Sequence, residues 1–210
     1  MAIDFKKTII AGHFPEIWRG ECKILPGGFK PVQDFPVGTT IHRGTPVFVN
    51  FEDLSAAICK TAKVLAGGTT SAPRISKGHY FVQGDRLTKY GDGKASPTIS
   101  KIDTSNADYD VLTLSAAYTG LKEDDILVES SAFAAAAGES PAVNAEPLYT
   151  PNMVTGAVKV FDGKGLPTLD VAYDAIVLYP SLKFPLLEEW LIDPKSPCLK
   201  FNPSIKFIKQ

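Results

Sequence analysis

Short runs in which apolar and polar positions alternate with a period of two recur along this chain. "TIHRGTPVFVNF" (residues 40–51), "HYFVQGDRLTKYG" (79–91), "PTISKI" (97–102), "DVLTLS" (110–115) and "DILVES" (125–130) are each bounded by Gly, Asp, Asn or Pro clusters. Such a run puts one set of side chains toward a core and the other toward solvent, as a half-buried strand requires. Runs recurring every roughly 8–12 residues predict a β-sandwich or barrel, with Arg43-Gly44 as a turn between two of them. "AAICKTAKVLAGGTT" (56–70) fits either a short amphipathic helix or a strand stopped by Gly67-Gly68, and its neighbours favour strand.

The pattern is different at both ends. Residues 1–36 are punctuated by Pro and Gly, and "ILPGGFKPVQDFPVG" (24–38) reads as extended chain and turns, because proline pushes its predecessor out of the helical region. Phe5, Phe14, Trp18 and Phe29 are too many anchors for a free tail, so an extended arm packing on its own core or on a neighbour is expected. Residues 133–150, centred on an alanine run ended by Gly138 and Pro141, read as a linker or long loop. Beyond them, "GAVKVF" and "DAIVLYP" are strand-like, "PLLEEWL" is a short helix candidate, and "SIKFIKQ" closes the chain as a strand. The expectation is a mainly β protein: an arm over 1–36, a small barrel or sandwich over 37–132, and C-terminal strands with a short helix over 151–210 packing on it. The closing strand should seek a sheet edge, its own or a neighbour's, with Phe207 buried and its lysines near Asp124 and Asp125.

Composition narrows the class without naming a function. The chain is 44% hydrophobic and 21% charged, enough apolar material for a core, and its net charge of −1 gives no pull toward nucleic acid or an anionic membrane. Charge is uneven: residues 103–150 hold nine acids against Lys122 alone, while 194–210 hold four lysines and no acid. Cys22, Cys59 and Cys198 are three in number, widely spaced and without a C-x-x-C, which argues against a disulfide framework and a zinc site and suits a reducing cytoplasm. No secretion-type apolar run opens the chain, so synthesis in the cytoplasm is expected.

Candidate chemistry is sparse. The acids and amide at Asn106, Asp108 and Asp110 fail a calcium loop, since Val111 and Ala117 stand where it needs Gly and Glu; a turn is expected. Residues 91–93, "GDG", read as a loop between strands. Adjacent Glu188 and Glu189 point about 100° apart on a helix, poorly aimed at one atom. His13, His42 and His79 stand alone. No catalytic, cofactor or metal-binding motif appears, so no enzyme and no cofactor are expected.

"FPVGTTIHRGTPVFVNF", "AKVLAGGTT", "KGHYFVQGD", "KIDTSNADYDVLTL" and "LKFNPSIKFIKQ" together resemble the head fibre, or head decoration, proteins of tailed phages and prophages of Bacteroides-type bacteria. The resemblance runs from about Ile24 to the C-terminus. It implies a β-rich structural virion protein on the outside of a capsid, made in the bacterial host cytoplasm, with the major capsid protein as partner. It further implies a homo-oligomer, a trimer by likeness to capsid cement proteins, with other head fibre proteins or host-surface glycans as additional contacts, and neither nucleic acid nor membrane. Phe5, Phe14, Trp18, Phe29 and Phe207 are then the interface candidates. The alternative is a carbohydrate- or cell-surface-binding β-sandwich module, with Tyr80, Tyr90, Tyr109 and Tyr118 as sugar platforms.

Overall fold

Extended backbone leaves its N–H and C=O groups unpaired until another strand meets them, so the pairing partners decide the architecture. The computed structural model describes residues 17–133, 143–164, 167–193 and 195–209. In chain order the strands are β1 (Lys23–Pro31), β2 (Thr40–Ile41), β3 (Pro46–Asn50), β4 (Ser55–Ile58), β5 (Thr61–Leu65), β6 (Arg74–Ser76), β7 (Leu87–Lys89) and β8 (Ile99–Asp103). They continue as β9 (Tyr109–Leu114), β10 (Ile126–Glu129), β11 (Met153–Thr155), β12 (Lys159–Val160), β13 (Leu169–Leu178), β14 (Leu191–Asp193), β15 (Ser196–Leu199) and β16 (Asn202–Ile208). The protein is mainly β, in sheets of eight, six and two strands.

The eight-stranded sheet runs β1-β4-β3-β11-β13-β16-β15-β14, and β1 also pairs with β13. Five strands, β1, β4, β3, β11 and β13, therefore form a closed ring of pairings, with β16, β15 and β14 as a wing. Phe29, Val47, Val49, Ile58, Met153 and Val171 fill one apolar cluster with Tyr80. The six-stranded sheet runs β7-β10-β5-β6-β9-β8, and an Arg86–Thr98 bridge joins its two end strands. Its cluster holds Ala62, Ile75, Leu87, Ile99, Leu112, Tyr118 and Leu127. Cys59 and Lys60 carry the chain from β4 in the first sheet to β5 in the second. A third cluster, with Trp190, Val177, Leu199, Ile205 and Phe207, lies under the wing.

Several expectations are corrected here. The expected arm is only partly an arm: β1 is a ring strand, and Phe29 is buried against the same chain. Trp18 bridges Val177 and packs half-buried on the core, while Phe5 and Phe14 lie outside the described residues. Strands of the expected 37–132 block lie in both larger sheets, and β11 and β13 return from the C-terminal segment to complete the ring begun by β1, β4 and β3. The helix expected at "PLLEEWL" is a single 3₁₀ turn, Glu188–Trp190; among the described residues there is no α-helix. So short a segment does not repay helix nucleation, and Leu191 instead enters β14 to pair with β15.

The closing strand finds its edge within the same chain: β16 lies parallel to β13 and antiparallel to β15. Phe207, opposite Val177, is buried in the third cluster. Asp124 and Asp125 pair with Lys63 at 2.8 Å and Lys89 at 2.9 Å, not with the tail lysines.

Candidate functional site

The turn at residues 106–110 is built by side chains mimicking backbone. Asp103 Oδ1 accepts from Ser105 N at 3.0 Å and Asn106 Oδ1 from Asp108 N at 2.8 Å, which reverses the chain between β8 and β9. Asp110 points inward instead, taking Lys77 Nζ at 2.7 Å, with His79 Nε2 at 3.4 Å. Burial holds His79 below the usual histidine range; Asp110 opposes this and Lys77 adds to it. Residues 91–93 make a turn with positive φ at Gly91 and Gly93. Burial raises the Glu189 carboxyl, and its backbone N–H donates to the Tyr90 hydroxyl at 3.2 Å. Among the described residues, no group of three or more His, Cys, Asp or Glu is placed to hold a metal ion.

Of the tyrosines named as sugar platforms, Tyr80 and Tyr118 are core residues, one accepting from His42 N at 3.0 Å and the other bonded to Thr88 at 3.0 Å. Tyr109 has the Arg74 guanidinium 4.4 Å from its ring centre. Phe29 and Phe207, named as interface residues, are likewise spent on the interior.

Two arrangements that the alternation did not single out stand apart. The first is the tip of the β3–β4 hairpin, "NFEDLS". Asn50 Oδ1 accepts from Glu52 N at 2.9 Å and Asp53 Oδ1 from Ser55 N at 3.0 Å, so two side-chain turns fix the tip. They hold Phe51 and Leu54 outward, 53% and 52% exposed, with Leu54 at φ 54°. A leucine in the left-handed region costs roughly 1–2 kcal/mol, so an exposed leucine held there is a feature that calls for a function. The spacing of Asn50 and Asp53 around two large apolar residues was the available sequence signal.

The second lies at the crossing between the sheets. Lys60 is 1% exposed, with its Nζ 2.7 Å from Asp85 Oδ2 and 3.1 Å from Glu129 Oε1. The carboxylates are 10% and 9% exposed. Val82 N also donates to Asp85 Oδ2, at 2.8 Å, and Gln33 Nε2 reaches Glu129 Oε2 at 3.4 Å. Gln33 Nε2 also donates to Ile58 O, and its Oε1 accepts from Ile58 N, so the amide grips the strand end beside Lys60. The Phe35 ring centre lies 5.7 Å from Nζ. Burial is the main influence raising the Glu129 carboxyl; Lys60 opposes it and Asp85 adds to it. A lysine inside "AAICKTAKVL" looks from sequence like one more outward strand position.

Comparison of the chain with protein-family models, with curated proteins and with solved structures finds no match.

Proposed function

We propose that this chain is a structural virion protein that decorates the outside of a phage capsid, binding the major capsid protein as a homo-oligomer. The observation that carries the reading is the hairpin tip, where Phe51 and Leu54 stay 53% and 52% exposed on a fixed turn, with one edge of Phe51 resting against Phe29. A rigid apolar prong on a β scaffold suits insertion into a partner's groove, because its ordering cost is met before binding. The resemblance to head decoration proteins supplies the partner class. Asp103 and Asn106 are occupied in the β8–β9 turn and Asp110 in an internal pair with Lys77, which suits a scaffold.

The test is sedimentation with assembled heads of the encoding phage or prophage. Wild-type protein should travel with the heads, while a folded Phe51→Ser, Leu54→Ser double variant stays at the top of the gradient. Wild-type protein left soluble beside saturating heads would end the capsid reading. Equal attachment of the double variant would move the contact away from the hairpin tip.

A further inference from the structure

We propose that Lys60 and Asp85 condense to an intramolecular amide, with Glu129 as the proton carrier, so that the mature protein carries a side-chain cross-link between the β4–β5 crossing and the segment before β7. This inference stands on the buried cluster alone and is independent of the capsid reading.

The geometry sets the reacting groups together. Nζ sits 2.7 Å from Asp85 Oδ2, so the carboxyl carbon lies one bond beyond, near the roughly 3–3.5 Å separation of a near-attack pair. Val82 N donates to that same Oδ2 at 2.8 Å, a backbone donor fixed on the oxygen where negative charge develops when the carbon becomes tetrahedral. Glu129 Oε1 lies 3.1 Å from Nζ on a second side, within reach of the proton the nitrogen must lose. The Phe35 ring and the buried setting of Lys60 keep bulk water away, and an amine out of water is the form in which lysine acts as a nucleophile. Burial raises the Glu129 carboxyl, which makes its carboxylate a better acceptor for the nitrogen's proton before that proton is handed to a leaving oxygen.

The step balances without any further reagent. Glu129, as a carboxylate, takes one ammonium proton from Nζ and passes it to Asp85 Oδ1, leaving a neutral amine beside a carboxylic acid whose hydroxyl is on Oδ1. The nitrogen lone pair attacks the Asp85 carboxyl carbon, forming the Nζ–Cγ bond and placing negative charge on Oδ2 under the Val82 N–H. Glu129 takes a proton from the nitrogen and returns one to the departing Oδ1 hydroxyl. The Cγ–Oδ1 bond breaks, one water leaves, and Glu129 ends as it began. Asp85 retains slight solvent contact, which gives the water an exit. Asp85 and not Glu129 is assigned as the acyl partner because it is nearer and alone has a backbone donor on the reacting oxygen. The product closes a loop between residues 25 apart and ties the β4–β5 crossing to the segment before β7.

The experiment is intact mass spectrometry of the denatured full chain, followed by peptide mapping. Wild type should weigh one water less than its sequence and yield a branched peptide joining the segments that carry Lys60 and Asp85, with trypsin blocked at Lys60. Lys60→Arg and Glu129→Gln should show full mass. Asp85→Asn, which can expel ammonia in place of water, should reach the wild-type mass. A wild-type chain at full mass overturns the proposal, as does a branched peptide joining Lys60 to Glu129; complete condensation in Glu129→Gln overturns the proton carrier. The wild-type branched peptide decides the bond even where a variant fails to fold.

Discussion

Replacing Phe207 by alanine tests whether the closing strand holds the fold through burial or through charge. Phe207 is 1% exposed, opposite Val177 on β13, in a cluster with Ile205, Leu199 and Trp190. Truncating a buried phenylalanine loses its transfer free energy and leaves a cavity that a two-sided sheet packing closes poorly, for a cost of about 3–5 kcal/mol. Against a typical total of about 5–15 kcal/mol that is a large share, and for a chain of this size it lowers Tm by roughly 10 °C. The charge alternative is Lys206→Gln with Lys209→Gln. Lys206 is exposed, and Lys209 stands 5.5 Å over the Tyr179 ring, a contact contributing about 0.5–1 kcal/mol at an exposed site. Guanidinium titration followed by circular dichroism should show the Phe207→Ala midpoint falling at unchanged slope, while the double lysine variant tracks wild type. A Phe207→Ala cost below about 1 kcal/mol, or a larger loss in the lysine variant, would refute the assignment of the tail's stability to burial.

Removing residues 1–36 takes β1 out of the ring, so the remainder should lose its cooperative thermal transition; a sharp transition in that fragment would show that the ring does not need its first strand. His79 is depressed by burial, so its contribution is fully present above its unfolded value of about 6.5 and is lost as pH falls through and below it, at up to about 1.4 kcal/mol per unit. Melting between about pH 7.5 and 5.5 should therefore drop less in His79→Gln than in wild type, and parallel curves would contradict the burial account. Gly91→Ala, at φ 79° with open space around it, should cost about 1–2 kcal/mol, whereas Gly93→Ala should cost more, since its new Cβ meets Ala145 O at 2.8 Å. Equal losses in chemical denaturation would mean that the segment around Ala145 yields.

Along the chain, much of the local structure is legible in the sequence alone. The alternation in "DVLTLS" became β9, the Asn and Asp spacing before it became its turn, and "TIHRGTPVFVNF" became β2 and β3 around Gly44 at φ 75°. These are short-range facts: a side chain's face, a side chain imitating a backbone acceptor, a glycine accepting a left-handed turn. Pairing is different, because every strand offers the same N–H and C=O groups and alternation says which face is apolar without saying what covers it. Hence Phe29 looked like an anchor for a partner until β13, arriving some 140 residues later, covered it and joined β1 in the ring. The seven residues of "PLLEEWL" have helical spacing, yet the wing's demand for an edge partner turned them into a 3₁₀ turn and β14. Most of all, Lys60, Asp85 and Glu129 are ordinary strand and loop residues in sequence. Only closure of the two sheets removes water from around them, and with it the solvation that would have kept them apart.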